Sequence, residues 1–215
     1  VSQKAAEMGA KIICADINAE SAEAVAKCIC DNGGTALAVT ADVTNPEQMR
    51  GVAKAAVNAF GGIDVMINNA GVMPLAFMSD HKEALPKWHQ CIDINFKGVV
   101  NGTAAVYDQM MAQGRGHVIN LSSIYGNHPV VGSAVYGATK AAVNFFSESL
   151  RVEARGNIKV TIVKPTAVMA TGLAAGVVNP MAAAGSVGHN IEEFGAGVQV
   201  HDTLRNALHA LNTLR

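Results

Sequence analysis

The sequence contains little charge, and that charge is balanced. Only 15% of its 215 residues are charged, and the formal net charge is −1. A chain without a basic excess cannot neutralise many backbone phosphates, so nucleic acid is not expected as a partner. Half of the residues are hydrophobic, which is enough to form one folded core of ordinary size.

Long apolar runs and ligand-like cysteine or histidine spacings are also missing. Gly, Pro or a charged residue interrupts every apolar run well before the roughly 18 residues of a membrane-spanning helix, so no membrane association is expected. The cysteines match neither a zinc site nor a redox pair, and the seven histidines show no ligand spacing; the cysteines are Cys14, Cys28, Cys30 and Cys91. We therefore expect no metal, a cytoplasmic location and reduced thiols, with a reactive or metal-bound thiol as the alternative.

Short β-branched runs alternate with longer amphipathic stretches along the chain. This alternation predicts βαβ units, and hence an α/β fold with an open parallel sheet, in a single domain over 1–215. The predicted strands cover residues 11–15, 35–41, 63–68, 117–121 and 159–164. The predicted helices cover residues 1–8, 19–30, 46–60, 92–111, 133–154 and 202–214, with a loop following residue 71.

Polar residues stand where the predicted strands end. Ligands of open parallel sheets bind at the carboxyl ends of the strands, so these residues are the candidate site. They are Asp16, Asp42, Asn68 to Gly71, Ser122, Ser123, and Pro165 with Thr166.

Tyr136 and Lys140 stand four residues apart on a predicted helix and therefore project from one face. A phenol with a pKa near 10 is a poor acid or base at neutral pH, and a nearby ammonium is expected to bring that pKa towards the working range. Ser123, at a strand end, could hold a substrate oxygen beside the phenol. Together they suggest proton transfer to a carbonyl or from an alcohol, although such a pair alone is usually a solvated helix face.

Five ordered segments resemble the short-chain dehydrogenase/reductase family over nearly the whole chain to about Thr171. The segments are Asn68-Asn69-Ala70-Gly71, Asn95 within Ile94-Asn95-Phe96-Lys97-Gly98, Ser122-Ser123, the Tyr136-x-x-x-Lys140 pair, and Pro165. The resemblance implies a Rossmann-like, doubly wound parallel sheet in three α/β/α layers. It also implies an oxidoreductase that transfers a hydride between a nicotinamide cofactor and a secondary alcohol or ketone.

The resemblance assigns the catalytic roles. Tyr136 would be the general acid/base, and Ser123 would orient and polarise the substrate oxygen. Lys140 would lower the pKa of Tyr136 and bind the nicotinamide ribose. Asn95 would hold a water that links Lys140 to solvent.

The same resemblance implies a cofactor site along the strand ends. Asp16 would accept hydrogen bonds from the adenosine ribose and repel a 2′-phosphate, which favours NAD over NADP, although Asp at a strand end is also a common turn former. The family's remaining cofactor contacts fall on Asp42, Val43, Asn69, Ala70, Gly71, Tyr136, Lys140, Pro165 and Val168.

The substrate side is less defined by sequence. Ser123 and Tyr136 would contact the substrate, and Tyr125 and His128 would line its pocket or equally lie at the surface. Residues 172–197 fall where the family has a substrate lid, and a plain flexible loop is the alternative. Sequence leaves the substrate itself open.

The sequence departs from the family at its start and after Pro165. No G-x-G-x-x-G run precedes the first helix, so we expect the natural protein to have about 20 to 25 more N-terminal residues, forming a central strand and a glycine-rich turn. Thr166 stands where the family usually has glycine, and Ala170 where it usually has a threonine.

Two other functions compete with the oxidoreductase hypothesis. A catalytically inactive binding or regulatory protein of the same fold would explain the missing phosphate loop. Sugar-nucleotide epimerase chemistry is disfavoured because the chain is too short for a separate substrate domain. A homodimer or homotetramer, formed through the helices containing Met110-Met111 and Tyr136, is implied by the resemblance.

Overall fold

The computed structural model describes residues 1–165, 173 and 176–183. Its helices are α1 (Ser2–Glu7), α2 (Ala19–Asp31), α3 (Pro46–Phe60), α4 (His81–Ile92), α5 (Gly98–Gln113) and α6 (Ala134–Glu153). Its strands are β1 (Lys11–Asp16), β2 (Thr35–Thr40), β3 (Val65–Asn68), β4 (His117–Leu121) and β5 (Lys159–Val163). Short 3-10 turns cover Met78–Asp80 and Ile124–Gly126, and a π-helical turn covers Asp93–Lys97.

Local signals explain where helix α3 begins and ends. The Asn45 side chain caps the helix by accepting hydrogen bonds from the backbone N–H groups of Glu47 and Gln48, and Pro46 occupies the first turn. Gly61 ends the helix with φ of 85°, in the left-handed region that favours glycine. The bounds of α3 and of β4 coincide with the predicted ones.

Hydrogen bonds join the five strands into two parallel ladders. In the first, Lys11 of β1 lies opposite Thr35 of β2. In the second, β4 lies between β3 and β5, with His117 opposite both Val65 and Lys159. β1 and β3 are edge strands of these ladders, and the central strand that the family resemblance implies is not among the described elements. Because all pairs are parallel, the carboxyl ends of each ladder lie at one edge.

Helices cover both faces of the first ladder. Cys14 of β1 packs with Ala26 and Ile29 of α2, whereas its neighbour Ile13 points the other way and packs with Met49 of α3. A larger cluster joins α3, α5 and α6 to the second ladder; its buried members include Ala53, Val106, Met110, Val118, Leu150 and Val160. The predicted parallel α/β architecture is therefore confirmed.

Helix α4 was wrongly predicted as part of a loop. Pro86 lies inside it, although proline removes a backbone donor and usually interrupts a helix. Its buried residues Ala84, Trp88 and Cys91 recur at helical spacing, which was the signal that could have identified it. The helix predicted over 92–111 also differs, because a π-helical turn at Asp93–Lys97 precedes α5.

A row of buried polar side chains crosses the second ladder. Asn68 Nδ2 donates to Thr103 Oγ1 at 3.2 Å and to Asn120 Oδ1 at 2.8 Å. Asn120 Nδ2 in turn donates to Ser147 Oγ at 2.8 Å, and this hydroxyl donates to the Val143 carbonyl. This polar row links α5, β3, β4 and α6, and it satisfies groups that would be costly to bury alone.

Several sequence predictions lie mostly or wholly outside the described residues. They are the lid over 172–197, the helix over 202–214, the cofactor contact assigned to Val168, and the departures from the family pattern at Thr166 and Ala170. Across the described part of the chain, no helix combines the length and hydropathy that crossing a bilayer requires.

His117, at the start of β4, is buried to 1% exposure. Its Nε2 lies 2.8 Å from Thr161 Oγ1 of the neighbouring strand, whereas its Nδ1 is buried without a hydrogen-bond partner. Burial, assisted by the positive charge of Lys159, lowers the pKa of His117 to about 4. The folded protein therefore holds this ring neutral.

We predict that this ring makes the fold acid-sensitive. An unfolded histidine titrates near 6.5, so between pH 6.5 and pH 4 the unfolded chain binds a proton that the folded chain does not. The free energy of unfolding should fall by about 2 kcal/mol from pH 7.5 to pH 5 through this group alone. Urea denaturation at the two pH values should show a smaller loss for His117→Gln than for the wild type. Equal losses in both proteins would contradict the assignment.

Candidate active site

The end of β4 and the first turns of α6 bring Ser123, Tyr136 and Lys140 together in the protein interior. Each is buried, with exposures of 7%, 4% and 5%. Ser123 caps the 3-10 turn after β4, where its hydroxyl accepts from the Tyr125 backbone at 3.2 Å. Tyr136 and Lys140 project from the buried face of α6. The solvated-face interpretation of this pair is therefore excluded.

Lys140 is fixed by hydrogen bonds at both its side chain and its backbone. Its Nζ donates to the Leu121 carbonyl at 2.8 Å, and its own carbonyl accepts from Ser122 Oγ at 3.0 Å. The ammonium lies 5.7 Å from the centre of the Tyr136 ring. Burial lowers the pKa of Lys140 to about 8.

The expected lowering of the Tyr136 pKa is wrong for this structure. Burial raises the pKa of Tyr136 to about 12, and a hydrogen bond with Ser123 offsets only part of that rise. The phenol lies in an apolar cluster, and the ammonium of Lys140 is bonded to the Leu121 carbonyl. The helical spacing predicted the pairing but could not predict how dry its surroundings are.

Asn95 is fully buried in the π-helical turn and holds the loop that follows β3. Its Oδ1 accepts from the Val72 N–H at 2.8 Å, and its Nδ2 donates to the Val72 carbonyl at 2.9 Å. The same Nδ2 lies 3.2 Å from Thr139 Oγ1 and 3.2 Å from Cys91 Sγ. π-helical turns are frequent at functional sites, and this one aims a side chain between two other elements.

Gly71 leaves space between two of the predicted catalytic residues. A Cβ at this position would lie 3.3 Å from Asn95 Oδ1 and 3.6 Å from Lys140 Nζ. The neighbouring Asn69 and Ala70 are exposed just beyond the end of β3. The absence of a Cβ at Gly71 thus lets Asn95 and Lys140 lie close to the backbone at this strand end.

The carboxyl ends of β1 and β2 present two acidic residues, both of which also stabilise turns. Asp16 is exposed, and its Oδ1 accepts from the Asn18 N–H at 2.9 Å. Asp42 Oδ1 accepts from both the N–H and the hydroxyl of Thr44 at 2.8 Å. Val43 packs against Gly98, where a Cβ would lie 2.8 Å from its Cγ2. The turn-forming role considered for Asp16 is therefore present in the structure.

The two residues proposed to line the substrate pocket differ in exposure but line one groove. Tyr125 is buried and packs edge-on against the Tyr136 ring, with 5.8 Å between centroids. His128 is exposed, and both residues line a groove of about 340 Å³ beside α6 that neither Ser123 nor Tyr136 lines. The loop after Ser123 is held to the end of β5 because the Ile124 N–H donates to the Pro165 carbonyl at 3.2 Å.

Sequence reasoning missed the apolar residues around the phenol. Leu75, Val130 and Ala182 are buried in one cluster with Tyr136 and Tyr125. The segment 176–183 is attached to the loop before α4, because the backbone N–H groups of residues 178 and 179 donate to the Leu75 carbonyl. The Asn179 side chain adds a bond of 2.8 Å to Asp80. No local pattern signals contacts between residues about 100 positions apart.

Other site chemistry is limited within the described residues. All four cysteines are free thiols, and burial raises the pKa of Cys91 to about 11. In the same part of the chain, no three His, Cys, Asp or Glu side chains gather as metal ligands would.

Comparison with protein families and curated proteins gives consistent matches. A family model described as short chain dehydrogenase matches residues 1–181. An uncharacterized oxidoreductase of Staphylococcus saprophyticus is 46% identical over 130 residues, which are 59% of this chain and 52% of that protein. An uncharacterized oxidoreductase of Listeria monocytogenes is 40% identical over 166 residues, which are 76% of this chain and 66% of that protein. The chain thus spans about half to two thirds of the length of these relatives.

Two solved structures share the architecture. A short chain dehydrogenase/reductase from Burkholderia phymatum, in complex with NAD, is 28% identical with a TM-score of 0.76, over 81% of this chain and 62% of that one. A metagenomic short-chain oxidoreductase, in complex with NADP, is 30% identical with a TM-score of 0.71, over 77% of this chain and 75% of that one.

Proposed function

The chain belongs to the short-chain dehydrogenase/reductase family, and we propose that it transfers a hydride between a nicotinamide cofactor and a secondary alcohol or ketone. The observation that carries this proposal is the burial of Ser123, Tyr136 and Lys140 together at the end of β4. A serine hydroxyl bonded to a buried phenol, with an ammonium one turn further along the helix, is suited to moving a proton to or from a substrate oxygen.

Each residue contributes a distinct step in ketone reduction. The Ser123 hydroxyl binds the carbonyl oxygen and holds it beside the phenol. Tyr136 donates its proton to that oxygen as the carbonyl carbon accepts hydride; in oxidation the phenolate takes the proton from the alcohol. Lys140 fixes this part of α6 to the end of β4 through the Leu121 carbonyl, and so holds the phenol one turn earlier beside Ser123. The apolar cluster around Tyr136 keeps water from competing for the oxygen.

A nicotinamide cofactor, when bound, supplies or accepts the hydride. The support for such a site lies in the residues at the end of β3, where Asn69 and Ala70 are exposed and the Lys140 ammonium lies close to Gly71. We infer that Lys140 binds its nicotinamide ribose and that Asp16, with Asp42 and Val43, binds its adenosine end. Because a carboxylate at Asp16 repels a 2′-phosphate and Ile17 offers no compensating charge, NAD is the preferred form. No residue is assigned to the pyrophosphate.

We further propose that a second copy of the chain covers the outer face of α6. The α6 outer face consists of exposed residues spaced three or four positions apart, most of which are apolar. They are Ala134, Ala138, Ala141, Phe145, Glu148 and Val152. Phe145 and Val152 are 77% and 78% exposed, which is unusual for large apolar side chains.

The order of large and small residues on this face favours pairing with itself. If two copies of α6 pack antiparallel about a two-fold axis near Val143, Ala141 lies opposite Phe145 and Ala134 lies opposite Val152. Each large side chain then meets a small one, so the helices can approach closely. The order of residues on this face therefore supports the homo-oligomer that the family resemblance implies.

Cofactor preference should depend on Asp16. Replacing it with Ala removes the negative charge that opposes a 2′-phosphate. The ratio of the Kd for NADPH to the Kd for NADH should therefore fall by about tenfold or more in Asp16→Ala. Fluorescence titration with each cofactor measures the two Kd values. The matched control is Asp31→Ala, which removes an exposed carboxylate at the end of a helix. An unchanged ratio in Asp16→Ala would contradict the role of this residue.

Removing the phenol hydroxyl should abolish turnover. Tyr136→Phe keeps the ring and its packing but has no proton to donate, so kcat/KM for NADH-dependent reduction of a reactive diketone should fall by about 100-fold or more. Tyr107→Phe, at a half-buried tyrosine of the larger core cluster, is the control and should stay within about twofold of the wild type.

Two outcomes would contradict the proposed enzymatic function. Turnover that survives within a few-fold in Tyr136→Phe would show that another group donates the proton. A wild-type protein that binds NADH but reduces none of a broad panel of ketones would favour the binding or regulatory alternative.

The oligomer should depend on Phe145. A charge placed at the centre of the paired faces would be buried without a partner, so Phe145→Glu should shift the protein from dimer or tetramer to monomer in sedimentation equilibrium. Leu85→Glu, at a 47% exposed position on α4, should leave the assembly intact. A wild type that sediments as a monomer at micromolar concentration would overturn the proposal.

A further inference from the structure

Thr139 lies between Tyr136 and Lys140 on α6 and is 4% exposed. Its hydroxyl donates to the Tyr136 carbonyl at 2.7 Å. A buried helical threonine commonly bonds its own helix in this way, and that bond alone would need no further explanation.

The second bond of this hydroxyl comes from another element. Asn95 Nδ2, in the π-helical turn, donates to Thr139 Oγ1 at 3.2 Å. The other bonds of the Asn95 amide fasten the Val72 backbone in the loop after β3. The Thr139 hydroxyl is therefore the point at which the Asn95 network meets the backbone of the proposed proton donor.

Cys91 cannot replace this bridge. Its Sγ also lies 3.2 Å from Asn95 Nδ2, but sulfur is a weak acceptor, and its other polar neighbour besides Thr139 is the Val72 carbonyl. The direct bond from Asn95 and the longer contact of 3.9 Å through Cys91 both reach the Tyr136 carbonyl through the Thr139 hydroxyl.

We propose that Thr139 is a positioning residue, whose hydroxyl couples Asn95 to the Tyr136 backbone and so holds the phenol in hydrogen-bonding register with Ser123. This inference rests on the proposed function, because it assigns the phenol a chemical task. Without the hydroxyl, α6 loses the hydrogen bond that Asn95 of the π-helical turn donates to it at Thr139. The phenol then spends less time in contact with Ser123.

The test compares two substitutions in the full-length protein. Thr139→Val keeps the branched shape and removes the hydroxyl, whereas Thr139→Ser keeps the hydroxyl. With a ketone and NADH, Thr139→Val should lower kcat by about tenfold and change the ketone KM by less than about twofold. Thr139→Ser should stay within about twofold of the wild type.

A spectroscopic measurement without cofactor separates positioning from activity. The protein is labelled with tyrosine carrying 13C at Cζ, and Tyr136→Phe identifies the Tyr136 resonance among three tyrosines. That resonance reports the hydrogen bonding of the phenol, so it should shift in Thr139→Val and not in Thr139→Ser. Val143→Ala leaves a cavity at a buried position one turn further along α6. It should lower the stability of the protein but leave the Tyr136 resonance unshifted.

The outcomes distinguish this inference from the proposed function. If the wild type reduces no ketone but the resonance shifts as expected, the proposed function fails and the coupling stands. If the wild type is active and Thr139→Val matches it in kcat and in the resonance, the coupling is overturned. If Thr139→Val does not fold, as judged by circular dichroism, Thr139→Ala is tested against the same two criteria.

Discussion

The burial of one ammonium group is the constraint on which the candidate site depends. Removing the Lys140 cation from water costs several kcal/mol unless polar groups replace the lost hydration. The structure provides the Leu121 carbonyl for its Nζ, and Ser122 holds its backbone carbonyl. These bonds fix helix α6 against the end of β4, and the phenol one turn earlier takes its position from them. The Tyr136–Lys140 pair is thus also the joint between a strand and a helix.

Around this joint, the site combines a dry interior with few but well-placed polar contacts. The apolar cluster containing Leu75, Val130 and Tyr125 raises the cost of ionising Tyr136, which explains why its pKa rises although a cation is near. The same low dielectric strengthens each hydrogen bond that is made. The bond with Ser123 and the Asn95 network therefore matter more here than they would at a surface.

Residues with strong local signals were predictable, and those defined by tertiary surroundings were not. Asn45, Pro46 and Gly61 fixed the bounds of α3, because capping and turn preferences act over a few residues. The spacing of Tyr136 and Lys140 predicted a shared helix face for the same reason. In contrast, α4 was not predicted although it contains Trp88 and Cys91 at helical spacing, and nothing near Asn95 in sequence indicated that its amide would bind the Val72 backbone. The direction of the Tyr136 pKa shift likewise depends on residues distant in the chain.

The polar row that crosses the second ladder limits how this protein can change over evolution. Replacing Asn68 alone would leave Asn120 Oδ1 buried without its hydrogen-bond donor, whereas replacing the whole set with apolar residues of similar shape would remove donors and acceptors together. We therefore expect a single substitution at Asn68 to cost more stability than replacement of the whole row. Homologous chains are expected to keep or replace positions 68, 103, 120 and 147 together, because these side chains depend on one another for their hydrogen bonds.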